Sequence, residues 1–215
     1  MKAVIFDMDG VIIDSQSIAD KLLTQTAKKF GVQVTEQELH SLHGIPIESF
    51  WQYVKETYNL PESAEYYGSH YDVEEEIRMY HDLLPIDGIP QLVEDLKSHN
   101  VSLALATSAS RYRMQIVLDL FEMHDTFDAV VTKDDVTRAK PDPEIFIKAA
   151  GLLHIPPSES IVIEDAVNGL VAAHQAHMKC VLYWKKKSKI KSPVQADLIT
   201  DDFTKINFAK LSALQ

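Results

Sequence analysis

The first apolar cluster of the chain is short and unbroken. Ala3-Val4-Ile5-Phe6 is partly β-branched and has no polar residue to mark a wet face. Such a run predicts a strand covered on both sides, as in a parallel sheet. After Asp14 the period lengthens. Ile18, Leu22, Leu23, Thr26 and Phe30 recur at helical spacing, and Gly31 is placed to end that helix. Thr35-Glu36-Gln37-Glu38 has the form of a capping box opening a second helix that runs to about Leu42. Pro46 suits the first position of a third, with Phe50, Trp51 and Val54 along one side. Beyond Leu60-Pro61 a fourth helix is predicted from about Ser63 through Ile77 to Leu83, with Gly68 inside it.

From Pro85 onward short apolar runs alternate with helical patterns. Leu103-Ala104-Leu105-Ala106, Ala129-Val130-Val131, Ile161-Val162-Ile163 and Cys180-Val181-Leu182-Tyr183 read as strands, and Leu198-Ile199 as a short last one. Between them, helices carry Leu92, Val93 and Leu96; Ile116, Val117 and Leu120; Ile145, Phe146, Ala149 and Leu153; and Val167, Leu170 and Val171. Strand–helix alternation of this kind argues for a parallel sheet wound by right-handed crossovers. The stretch 15–81 is too long and too helical to be one crossover. It reads as a helical domain inserted after the first strand, so that 1–14 and 82–215 form one core and 15–81 another unit.

Composition adds limits. At 215 residues with a formal net charge of −11, the chain is an unfavourable partner for nucleic acid or an anionic membrane. It contains no apolar stretch long enough to span a bilayer, and its amino terminus lacks a signal-peptide layout. The lone Cys180 fits a reducing compartment, and a monomeric cytoplasmic protein is expected. Glu74-Glu75-Glu76 and the Lys185–Lys191 run read as solvated surface, and His174 and His177 as an exposed helix face.

Polar groups stand at the carboxyl ends of the apolar strands. The first strand is followed by Asp7 and Asp9, the second by Thr107 and Ser108, and the third by a loop reaching Lys140. The fourth ends in Glu164 and Asp165. In a parallel sheet these ends share one edge, where ligands bind. Paired acids invite a divalent cation, and Mg²⁺ takes one or two carboxylates while leaving positions for phosphate oxygens. A carboxylate can itself attack phosphorus, and a lysine and hydroxyl or backbone N–H donors can meet the developing charge. The second aspartate can protonate the leaving oxygen and later activate water.

Asp7-Met8-Asp9-Gly10-Val11, Thr107-Ser108, Lys140-Pro141-Asp142-Pro143 and Glu164-Asp165 strongly resemble the four motifs of the haloacid dehalogenase superfamily. The nearest likeness is to its sugar-phosphate phosphatases and β-phosphoglucomutase-like enzymes. Asp14-Ser15, Pro85-x-x-Gly88 and Ala166-Val167-Asn168-Gly169 resemble the same branch. The resemblance implies an α/β fold, a Rossmann-like parallel-sheet core with an inserted α-helical cap. It implies that Asp7 is the nucleophile and a Mg²⁺ ligand. Asp9 is then the general acid/base and gives the metal its backbone carbonyl. Thr107 holds a phosphate oxygen, with the N–H groups of Met8 and Ser108 nearby, and Lys140 bridges phosphate and Asp7. Asp165 is a further metal ligand, with Glu164 beside it or one water away.

The implied activity is hydrolysis of a small phosphorylated metabolite. Dehalogenases of the superfamily lack the second aspartate, so Asp9 argues against that chemistry. In the cap, Ser15, Ala19 and the stretch from His43 and Gly44 to Ile47 are candidates for selecting the leaving group. Ile47 stands where mutases resembling β-phosphoglucomutase carry an Arg, and Ala19 where they carry a His. Both departures favour a phosphatase over a mutase. A phospho-aspartate signalling switch is the remaining alternative, and the helical insert and Asp9 count against it. His177 stands where relatives have the Gly that ends the last long helix.

Overall fold

The computed structural model describes residues 1–42, 47–185 and 190–215. The chain folds as two units, Met1–Asp14 with Leu83–Gln215, and Ser15–Asp82. The boundary falls one residue later than the sequence reading put it, with Asp82 in the second unit.

The first unit is built on the strands β1 (Ala3–Phe6), β2 (Ser102–Ala106), β3 (Ala129–Val131), β4 (Ser160–Glu164), β5 (Lys179–Tyr183) and β6 (Leu198–Thr200). They form a six-stranded sheet in the order β3-β2-β1-β4-β5-β6, and every pairing is parallel. The order reverses direction between β1 and β4. A crevice opens at such a reversal, outside the carboxyl ends of the two strands. In register, Phe6 lies beside Leu105 on one side and Ile163 on the other.

Alternation of side chains divides the sheet into two apolar faces. Ile5, Ala104, Ala106 and Val162 pack with Phe146 and Ala149 of α8 (Glu144–Leu152) and with Leu170, Ala172 and Ala173 of α9 (Val167–Gln175). The many alanines let these helices sit close to the strands, and burying Phe146 fully contributes on the order of 1.5–3 kcal/mol. α6 (Ile89–Ser98) packs against β2 and in turn against α10 (Phe208–Ser212), and α7 (Arg111–Leu120) connects β2 to β3. On β1 the Phe6 ring meets Phe127 edge-on at 6.0 Å. His177 adopts φ +58°, so it makes the left-handed turn after α9 that was expected of a glycine; it and His174 are exposed.

The second unit contains α1 (Gln16–Lys29), α2 (Glu36–Ser41), α3 (Ile47–Tyr58), α4 (Ala64–Gly68) and α5 (Val73–Met79). The capping box is present: Glu38 N–H donates to Thr35 Oγ1 at 3.2 Å, and Thr35 N–H donates to Glu38 Oε2 at 2.8 Å. Pro46, expected to open α3, lies outside the described residues. Phe50, Trp51, Val54 and Tyr67 form the apolar centre, with the Phe30 ring against Tyr67 at 4.8 Å.

Two expectations for this unit are corrected. The single helix predicted from Ser63 to Leu83 is two helices and a terminal 3₁₀ turn, because Ser63 and Asp72 each cap a new amino terminus. Glu76 is not part of a solvated face. It is buried, accepting the hydroxyl proton of Tyr71 at 2.9 Å and that of Tyr80.

Candidate active site

The site grows out of the sheet register. Asp7 follows β1, and its N–H donates to the carbonyl of Ile163 at 2.9 Å, so pairing continues one step past the strand. That places Asp7 beside Ala106 on β2 and Glu164 on β4. Lys140 arrives from the loop after β3. Its ammonium donates to Asp7 Oδ1 at 2.7 Å, Glu164 Oε1 at 2.8 Å and the Ala106 carbonyl at 3.2 Å. All three donors of the ammonium are thereby used, one on each of three adjacent strands. The Phe146 ring lies 4.8 Å below it, and the lysine side chain is only 7% exposed.

Glu164 is tied down at both oxygens. Oε1 accepts from Lys140, and Oε2 accepts the N–H groups of Asp165 and Ala166, each at 2.8 Å. Carboxylate oxygens of Asp7, Glu164 and Asp165 lie within 4.8 Å of one another. One ammonium does not neutralise three acids, two of them buried and Asp165 half-buried. Burial, opposed by Lys140 and reinforced by Glu164, raises the Asp7 carboxyl to about 7. Burial and then the charges of Glu164 and Asp7 hold Asp165 well above the usual carboxylate range. Burial alone would lower Lys140, but the adjacent Asp7 and Glu164 outweigh it and raise it instead. Three hard oxygen donors carrying uncompensated charge at a sheet-edge crevice fit a divalent cation such as Mg²⁺.

Two glycines make room for these acids. A Cβ on Gly169 would lie 1.7 Å from Glu164 Oε1, and one on Gly10 would lie 2.1 Å from Asp165 Oδ2. Gly10 also has φ +73°, which a side chain would strain. The motif after β1 therefore contributes a glycine against Asp165 from across the crevice, and the helix after β4 contributes one against Glu164 of its own strand.

The other expected residues divide. Thr107 is fully buried at the end of β2, its Oγ1 accepting the Ala109 N–H at 3.0 Å, and Ser108 beside it is exposed. Met8 is buried, and its carbonyl accepts the N–H of Ile12 at 2.8 Å. His43 and Gly44 lie outside the described residues, as do positions 186–189 of the lysine run. The Asp9 carboxylate does not join the acid cluster. It is gripped by Arg113 of α7, whose Nη1 donates to Oδ2 at 2.8 Å and Nη2 to Oδ1 at 2.7 Å.

Arg113 is absent from the sequence reading, yet a signal was there. Arg111 and Arg113 open a helix whose first turn holds no acid, and cations at a helix amino terminus oppose its dipole. Such residues need acids from elsewhere. Arg111 has Asp135, with Nη2 to Oδ1 at 2.7 Å, and Arg113 has Asp9.

Residues 4–183 match the family model of the haloacid dehalogenase-like hydrolases. The chain is 32% identical to a phosphorylated carbohydrates phosphatase of Thermotoga maritima over 82% of its own length and 82% of that protein's. It is 27% identical to hexitol phosphatase B of Escherichia coli K12, covering 84% of this chain and 82% of the relative. Among solved structures, β-phosphoglucomutase from Clostridium difficile superimposes with a TM-score of 0.79 at 25% identity, covering 100% of this chain and 96% of that one. A family IA hydrolase from Entamoeba histolytica shares the fold with a TM-score of 0.83 at 24% identity, over 100% and 99% of the two chains.

Proposed function

The chain belongs to the haloacid dehalogenase-like hydrolases and is a phosphomonoester hydrolase, and from that premise we propose that it removes phosphate from a small sugar or polyol phosphate through an aspartyl-phosphate on Asp7. One observation carries the reading. The Lys140 ammonium lies between Asp7 and Glu164, with Asp165 in the same cluster of oxygens.

Lys140 occupies Oδ1 of Asp7 and leaves Oδ2 to attack phosphorus. As the Asp7–phosphorus bond forms, the bond from phosphorus to the leaving oxygen breaks, and Asp9 supplies that oxygen's proton. Water then attacks the phosphorus of the aspartyl-phosphate and Asp9 takes its proton back. The bond to Asp7 breaks, inorganic phosphate leaves and the free carboxylate returns. Thr107 and the N–H groups of Met8 and Ser108 serve the phosphate oxygens.

Asp7, Asp165 and the Asp9 carbonyl would hold Mg²⁺, with Glu164 beside them orienting the loop and Lys140. The ion would supply positive charge to the transferring phosphoryl group and keep Asp7 ionised near neutrality.

The unit Ser15–Asp82 serves as a cap that selects the leaving group, through Ser15, Ala19 and the stretch from His43 to Ile47. No helix among the described residues is long and apolar enough to cross a membrane, and Cys180 is a buried free thiol. We propose a cytoplasmic monomer acting on a diffusing metabolite.

A panel of sugar, polyol and glycolate phosphates, ranked by kcat/KM with Mg²⁺ and again with excess EDTA, tests the proposal. Metal-dependent release of phosphate from hexose or hexitol phosphates is expected. Conversion of β-glucose 1-phosphate primed by glucose 1,6-bisphosphate, without net phosphate release, would make the enzyme a mutase. A single stoichiometric phosphorylation would make it a switch.

A further inference from the structure

We infer that Arg113 is the positioning residue for Asp9, holding its carboxylate plane in the orientation used for proton transfer. The inference rests on the acid/base role proposed for Asp9. Asp9 needs such a partner. It stands two residues beyond Asp7 in a turn and, unlike Asp7 and Glu164, keeps 32% of its side chain exposed. A short acid side chain in that setting samples several rotamers unless something holds it, and proton transfer is efficient only from a donor fixed within hydrogen-bond reach.

Arg113 is built to hold it. Its planar fork meets both carboxylate oxygens, at 2.7 and 2.8 Å, across 104 residues of sequence. Two parallel bonds fix both the distance and the plane, as a lysine could not. Arg113 is itself anchored, its backbone N–H donating to the Ser110 cap at 3.3 Å, and its side chain is 20% exposed. The connection that carries Thr107 and Ser108 leads from β2 into α7, so the donors for phosphate and the clamp for Asp9 lie close together along the chain.

Aryl phosphates provide the test, because p-nitrophenolate leaves readily without a proton whereas unsubstituted phenolate needs one. With the full-length enzyme and Mg²⁺, kcat/KM is measured for both esters on wild type, R113M, R113K and D9N. A positioned proton donor contributes about 10²–10⁴-fold, so R113M should lose about 10²-fold on phenyl phosphate and less than about threefold on p-nitrophenyl phosphate. R113K, with a point charge in place of the fork, should fall between R113M and wild type and keeps the test open if R113M folds poorly. Equal losses on both esters, or none, in R113M and R113K would overturn the inference while D9N still lost far more on phenyl phosphate than on p-nitrophenyl phosphate. If D9N itself discriminated between the esters no more than wild type, the acid role of Asp9 would fail, and Arg113's role with it.

Discussion

Lys140 Nζ lies 2.7 Å from Asp7 Oδ1 across 133 residues of sequence, and the same nitrogen reaches Glu164 Oε1 at 2.8 Å. Strand order brings the three together. β1 and β4 are neighbours at the reversal of the sheet, and the loop after β3 folds back over β2 to deliver the lysine. Removing Lys140 leaves the buried Asp7 and Glu164 without their protein cation. Breaking a buried pair in this way costs about 3–5 kcal/mol. Lys140→Ala should therefore lower the urea midpoint of the metal-free protein sharply and reduce kcat by about 10³-fold. Arginine should not rescue activity, since its larger fork has no space in a pocket where the lysine is 7% exposed. Urea titrations with and without Mg²⁺, beside steady-state kinetics, check both statements.

The acid cluster also sets the pH dependence of the metal-free fold. Asp7 is raised from 3.8 to about 7, and Asp165 is raised as well. Between these pH values the native state holds more protons than the unfolded state, so stability falls as pH rises from about 4 through about 7. The melting temperature of EDTA-treated protein should decline across that window. Mg²⁺ should raise it more at pH 8 than at pH 5, because the ligands must be ionised to bind. Asp165→Asn should stabilise the metal-free protein at pH 8 by a few degrees and abolish the response to Mg²⁺. Calorimetric scans at the two pH values decide it.

Glycine 169 is a packing requirement of Glu164. A methyl group there would sit 1.7 Å from Glu164 Oε1, so Gly169→Ala must displace the carboxylate that orients Lys140 and the loop N–H groups. A loss of about 1–3 kcal/mol from the strained packing is expected, with a disproportionate fall in kcat. Gly151→Ala, a helical glycine with open space around its Cβ, should cost neither stability nor activity. Denaturant midpoints and kcat of the two variants make the comparison.

Much of this site was legible because parallel-sheet chemistry writes itself at strand ends. Ala3–Phe6 and Ile161–Ile163 are apolar runs that stop at acids, so Asp7, Glu164 and Asp165 could be placed on one edge before any coordinates. The capping box at Thr35 was equally readable, because its two hydrogen bonds span only three residues. What escaped depends on which side chains the fold brings together. Arg113 drew no reading from the sequence, although its place in the first turn of α7 called for an acid, and only the fold shows that the acid is Asp9. Glu76 looked solvated beside Glu74 and Glu75, and the hydroxyls of Tyr71 and Tyr80 are what make its burial tolerable. The break of the predicted fourth helix was half visible in Gly68, and the Asp72 side chain caps the new start by accepting from the Glu75 N–H.

Rapid mixing of the enzyme and Mg²⁺ with a ³²P-labelled phosphomonoester, acid quench and peptide mapping test the Asp7 nucleophile most directly. The peptide spanning Asp7 should carry the label within one turnover, lose it to hydroxylamine as acyl phosphates do, and stay unlabelled in Asp7→Asn. Turnover with no covalent label, or label on any other residue, would contradict it.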